Sequence, residues 1–90
     1  MDTPILDFLR QYSEHDWVRF HMPGHKGKGM LGCEKWDITE VYGADALYEA
    51  DGIIAKSERN AAELFGTQRT CYSTECSSQC IRAMLYLALN

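Results

Sequence analysis

The last fourteen residues set the hardest constraint on what this chain can fold into. Between Ser77 and Asn90 the only charged residue is Arg82, while Cys80, Ile81, Met84, Leu85, Ala88 and Leu89 recur at helical spacing. A helix this apolar on most sides needs neighbours, so the pattern predicts one that is deeply buried in the finished fold. Just before it, Thr70-Cys71-Tyr72-Ser73-Thr74 is rich in strand formers and reads as one short strand. A lone strand leaves its backbone donors and acceptors without partners. Helix, strand and buried helix in series are the opening of an α/β sheet, not a whole one. No polar tail follows Leu87-Ala88-Leu89, and Asn90 alone is a weak helix stop. The expectation is therefore the N-terminal piece of a larger, enzyme-sized chain, mostly helical as it stands.

Size and composition agree with a folded piece. A chain of 90 residues hides only about 60–65% of the surface it exposes when unfolded, so an independent core would be marginal. Hydrophobic residues make up 46% and charged residues 24%, too apolar a balance for disorder. The formal charge of -4 argues against wrapping nucleic acid, which needs a basic face. No apolar run approaches the roughly 20 residues of a membrane span. The start, Met1-Asp2-Thr3-Pro4, lacks the basic and apolar regions of a secretion signal. Cys33, Cys71, Cys76 and Cys80 are then read as reduced thiols of a cytoplasmic protein. Cys76 and Cys80, four apart on one helix face, are expected to be small buried thiols.

The rest of the chain divides near Gly52. Thr3 is placed to cap a first helix and Pro4 to occupy its first turn, with Ile5, Phe8, Leu9 and Tyr12 forming an apolar stripe. The segment Phe20-His21-Met22-Pro23-Gly24-His25-Lys26-Gly27-Lys28-Gly29 has three glycines and a proline and fits neither a regular helix nor a central strand. A loop this long in a compact fold serves a site or an interface. Residues 1–52 are thus a helix plus a Gly/His-rich loop, and 53–90 the truncated start of a larger domain. A second helix runs from Ile53 to Phe65, with Asp51 as its possible cap and Gly66 as its stop.

Two places carry chemistry. The turn into the last helix offers unpaired N–H groups and partial positive charge, and Ser77 and Ser78 add two hydroxyls there. Spacing alone fits both a serine cap and a phosphate site. His21 and His25 are four apart, but Pro23 and Gly24 between them break the helix that would aim both at zinc, and with Cys33 no fourth ligand has matching spacing. No metal site is expected. The loop reads either as a structural one whose histidines bond the backbone or as a contact for an anionic ligand or partner subunit.

Several blocks bring a resemblance with them. Phe20-His21-Met22-Pro23-Gly24-His25-Lys26-Gly27 resembles the N-terminal signature of the Orn/Lys/Arg decarboxylase family, pyridoxal-phosphate enzymes of the aspartate aminotransferase-like fold type I. Asp37-Ile38-Thr39-Glu40-Val41 with Gly43-Ala44-Asp45, then Gly52-Ile53-Ile54-Ala55 through Leu64-Phe65-Gly66, are similar to the blocks that follow in order. Ser73-Thr74-Glu75-Cys76-Ser77-Ser78-Gln79 resembles the segment that meets the cofactor phosphate.

The resemblance implies an α/β large domain and a carboxy-lyase for arginine, lysine or ornithine, yielding polyamine-pathway amines. It implies pyridoxal 5'-phosphate as cofactor and a homo-oligomer when full length. Ser77, Ser78 and the backbone of Gln79 would bind the phosphate. It assigns no catalytic residue here, because the Schiff-base lysine lies downstream and none of Lys26, Lys28, Lys35 or Lys56 matches it; the chain alone is expected to be inactive. The family has glycine where this chain has Cys76, which would cost about 1–2 kcal/mol if φ is positive there. An aminotransferase of the same fold, or a free-standing small interaction protein, are the alternative readings.

Overall fold

The computed structural model describes residues 1–15 and 17–89. Helix α1 spans Pro4–Glu14, with Pro4 at its first turn as the sequence predicts. Thr3 is the capping residue, yet its hydroxyl donates to the Asp7 carboxylate at 3.1 Å rather than accepting from the backbone. A short 3-10 turn, Glu34–Trp36, follows the glycine-rich loop. Helix α2 spans Ile53–Phe65 and helix α3 Cys76–Leu89.

Helix α2 stops where glycine permits it. Gly66 adopts the left-handed conformation at φ 69°, and Thr67 N–H reaches back to the Ala62 carbonyl at 2.9 Å. Its start differs from expectation. Asp51 does not cap it; the Asp45 carboxylate does, from outside the helix. One oxygen accepts from Ala46 N–H at 2.8 Å and Asp51 N–H at 3.2 Å. The other accepts from Gly52 at 2.8 Å, Ile54 at 2.9 Å and Ala55 at 3.4 Å. These are the N–H groups that a helix leaves unpaired at its start. Partial desolvation pushes the Asp45 carboxyl up, but the bonds from Ala46, Gly52, Asp51 and Ile54 more than cancel this and hold it far below the usual carboxylate range.

Helices α1 and α2 pack together, and α1 also meets the 3-10 turn. The polar tie at their ends is Asp2, which pairs with Lys56 at 2.7 Å and accepts from Asn60 through its carbonyl and carboxylate, both at 3.0 Å. Ile5, Phe8 and Leu9 of α1 face Ile38, Leu47, Ile53 and Ile54 around a cleft of about 420 Å³ instead of closing on one another.

Three expectations fail, all for want of a packing partner. Residues 70–74 form no strand, and no strand is present among the described residues, so the α/β class is not formed here. No other strand among the described residues offers a ladder partner. Tyr72 N–H donates instead to the Glu58 carboxylate at 2.7 Å, and its hydroxyl donates to the Ser57 carbonyl at 3.1 Å. Helix α3, expected to be deeply buried, touches no other helix among the described residues. Ile81, Met84, Leu85 and Leu89 are all more than half exposed. Cys76 and Cys80, expected to be buried, are exposed free thiols with it. Ala62 and Pro4 are the buried side chains among the described residues. The radius of gyration, 15.7 Å, exceeds the roughly 12 Å of a compact chain of this length. The mostly helical reading holds. No described helix is long and apolar enough to cross a membrane. Asn90, read as a helix stop, lies outside the described residues.

Replacing Asp45 with asparagine tests the remote cap. A carboxyl with lowered folded-state pKa contributes stability in full above its ordinary value, and loses it as pH falls towards its own lower value. Far-UV circular dichroism should therefore show less helix in Asp45→Asn than in wild type at pH 7, with the two converging in strong acid. Equal helicity at pH 7 would remove Asp45 from the cap.

Candidate functional site

The turn into α3 is strapped by one serine. Ser73 Oγ accepts from Glu75 N–H at 3.2 Å and donates to Gln79 Oε1, so the segment before the helix is tied to its first turn. Cys76 opens the helix at φ 54°. This is the left-handed conformation that suits glycine, held here by a residue with a Cβ, at a cost of about 1–2 kcal/mol.

Ser77 and Ser78 follow, both exposed. Neither hydroxyl has a hydrogen-bond partner among the described residues. The first-turn N–H groups have no carbonyl four residues earlier in the helix to bond. Two hydroxyls and a fan of N–H groups at the positive end of a helix dipole are a donor set for a phosphate-sized anion. The side chain of Gln79 is committed to Ser73. The three residues singled out by sequence thus sit together on one helical turn.

The His-Lys loop is built differently. His21 Nδ1 donates to the Met22 carbonyl at 2.6 Å, which leaves Nε2 to accept from the Tyr12 hydroxyl, also at 2.6 Å. His25 Nδ1 accepts from Gly27 N–H at 2.9 Å, so Nε2 carries the hydrogen donated to Asp37 at 3.0 Å. Lys26 Nζ donates to the His21 carbonyl at 2.7 Å. Arg19 lies over the Tyr12 ring at 5.0 Å and donates to the Lys35 carbonyl. Its Nη1 is buried without a partner, directly under Gly27. A Cβ at Gly27, where φ is 80°, would come within 2.6 Å of that nitrogen. Every ring nitrogen in this loop is occupied in holding the loop together, which fits the structural reading. No group of three His, Cys, Asp or Glu side chains among the described residues is arranged to hold a metal.

Sequence reasoning missed Asp45 and Ser73. Asp45 stands seven residues before Gly52, beyond the reach of any capping rule that looks next to the helix. Ser73 was absorbed into the expected strand. A cleft of about 330 Å³ between α2 and residues 68–72 lies apart from the α3 turn and is lined by none of Ser77, Ser78 or Gln79.

Known proteins resemble this chain over nearly its whole length. It is 32% identical, across 93 aligned positions and 92% of the chain, to a protein named arginine decarboxylase from Halalkalibacterium halodurans. It is 32% identical, across 93% of the chain, to the arginine decarboxylase of Bacillus subtilis. An uncharacterized protein of Bacillus subtilis, YaaO, is 26% identical across 80% of the chain. The chain spans about a fifth of the length of these relatives: 19%, 19% and 17%. No family model matches it. No solved structure matches it. These findings correct the assignment to the Orn/Lys/Arg decarboxylase family, which the motif blocks suggested: with no matching family model and only a fifth of each relative covered, that membership does not stand. What stands is similarity to a small part of larger proteins named arginine decarboxylase.

The strain at Cys76 is measurable. Cys76→Gly should relieve about 1 kcal/mol at the turn and raise the helicity of α3, whereas Cys76→Val should lower it. Backbone chemical shifts of residues 76–80 report both; an unchanged or reduced helical population in the glycine variant would contradict the strained conformation.

Proposed function

We propose that this chain is part of a decarboxylase acting on a basic amino acid, and that Ser77, Ser78 and the backbone N–H of Gln79 form part of a cradle for the phosphate of pyridoxal 5'-phosphate. The observation that carries the reading is the pair of exposed, unpartnered serine hydroxyls on the first turn of α3. The names of the relatives support the reaction class and point to arginine as substrate. The donor set suits a dianion: two hydroxyls and unpaired N–H groups lie on one helix start, and Ser73 ties the segment before it to the first turn.

Each residue has a limited task in this reading. Ser77 and Ser78 hold the phosphate and so orient whatever is attached to it. Gln79 contributes a backbone donor while its side chain keeps the turn in place. The bound cofactor supplies the electron sink that lets carbon dioxide leave an amino acid. The remaining parts of the site would come from the four-fifths of such a protein that this segment does not span. That remainder would also give residues 70–74 a neighbouring strand and α3 an apolar surround, completing an α/β domain. Of the lysines, Lys26 is engaged with the His21 carbonyl and Lys56 with Asp2. Neither is offered as the covalent anchor.

Inorganic phosphate is the simplest probe. Titrated into the chain, it should shift the backbone amide resonances of residues 77–79 selectively. Each serine replaced by alanine should weaken the apparent affinity by about 1–3 kcal/mol, the range for hydrogen bonds to charged groups. Shifts of equal size across the chain, or unchanged affinity in the Ser77→Ala, Ser78→Ala double variant, would take these serines out of the site.

A further inference from the structure

Helices α2 and α3 do not touch among the described residues, yet two consecutive side chains join the start of α3 to α2. Tyr72 reaches α2. Its N–H donates to the Glu58 carboxylate at 2.7 Å, and its hydroxyl donates to the Ser57 carbonyl at 3.1 Å. That leaves the Ser57 hydroxyl to donate to the Tyr72 oxygen at 2.8 Å. Ser73 reaches the other way: its Oγ accepts from Glu75 N–H at 3.2 Å and donates to Gln79 Oε1. Tyr72 is thus held at its backbone and at the tip of its ring. Two such points stop the swivelling that a single bond would allow.

The path runs through half-buried side chains. Ser57, Glu58, Tyr72, Ser73 and Gln79 are all of that kind, while Cys71, Thr74 and Glu75 beside them are exposed. Every partner lies within this chain, so the arrangement calls on no surface that the rest of a larger protein would cover. It also leaves room for a sheet. In an extended segment successive N–H groups point to opposite sides, so a neighbouring strand would pair through Cys71 and Ser73 without displacing Glu58.

We propose that Tyr72 and Glu58 are positioning residues for the start of α3: Tyr72 and Ser73 form a joint that sets the direction of its first turn relative to α2, and so holds Ser77, Ser78 and Gln79 in one orientation towards an anion. The consequence for the anion rests on the phosphate reading above; the joint itself does not. With the joint released, the turn spends only part of its time in the competent orientation, and apparent affinity falls by that fraction. A turn that is competent about a fifth of the time binds about fivefold more weakly.

Residual dipolar couplings and a titration with inorganic phosphate test this together. In the free wild-type chain one alignment tensor should describe both α2 and residues 76–80. In the Glu58→Ala, Tyr72→Phe double variant the couplings of residues 76–80 should shrink while those of α2 keep their values. Phosphate should bind this variant about fivefold more weakly, and Glu58→Gln, which keeps an acceptor oxygen, should bind it as wild type does. In a Ser73→Ala background, Glu58→Ala should cost nothing further, because the path is already cut; a merely structural loss would add to the first. Separate tensors in wild type, unaltered couplings or phosphate affinity in the double variant, or additive losses would each overturn the joint. A wild type with one tensor and no selective phosphate shift would instead refute the phosphate cradle and leave the joint standing.

Discussion

Too little of the chain's apolar surface has anything to rest against, and most of the structure follows from that shortage. Burial of side chains such as Leu, Ile, Phe and Met is worth about 1.5–3 kcal/mol each, and it normally offsets the entropy of ordering the backbone. Here the largest apolar side chains stay at least partly in water, and α3 packs on no other helix among the described residues. What orders α1 and α2 instead is a set of polar ties at their ends: the Asp45 carboxylate on the first turn of α2, Gly66 at its close, and Asp2 bridging to Lys56 and Asn60. Such ties set direction and register, but exposed ones add little stability.

The two chemically suggestive segments are resolved in opposite ways by the same accounting of hydrogen bonds. In the His-Lys loop each imidazole has both nitrogens engaged, and Arg19 is clamped between Tyr12 and Gly27. Its histidines are structural posts. At the start of α3 the two serine hydroxyls are left open, while the neighbouring Ser73 and Gln79 side chains are spent on fixing the turn. Open donors beside a turn tied by its own side chains are the feature on which the proposed anion site rests.

Local structure was legible in the sequence wherever neighbours a few residues apart decide it. Pro4 and the Ile5, Phe8, Leu9 stripe marked α1, and Gly66 marked the end of α2. Ser77, Ser78 and Gln79 were placed correctly on one turn because a helix start needs only local pattern. Legibility failed where the answer depends on partners. Residues 70–74 have strand-forming side chains, yet a strand exists only when paired, and the Glu58 carboxylate takes the Tyr72 N–H instead. The apolar pattern of α3 spoke of burial that this chain cannot provide, and Cys76 and Cys80 went with it into solvent. Asp45 was invisible as a cap because a loop, not a sequence neighbour, brings it to α2. The motif blocks were informative about kinship, since relatives from Halalkalibacterium halodurans and Bacillus subtilis that match are named arginine decarboxylase, but they pointed to a family membership that the comparisons do not uphold.

Amide hydrogen exchange, recorded with and without pyridoxal phosphate, tests the central claim most directly. If the start of α3 cradles the phosphate, exchange should slow at Ser77, Ser78 and Gln79 and stay unchanged in α1 and in the His-Lys loop. Protection spread evenly over the chain, or centred on the Lys26 loop with none at Ser77–Gln79, would contradict it.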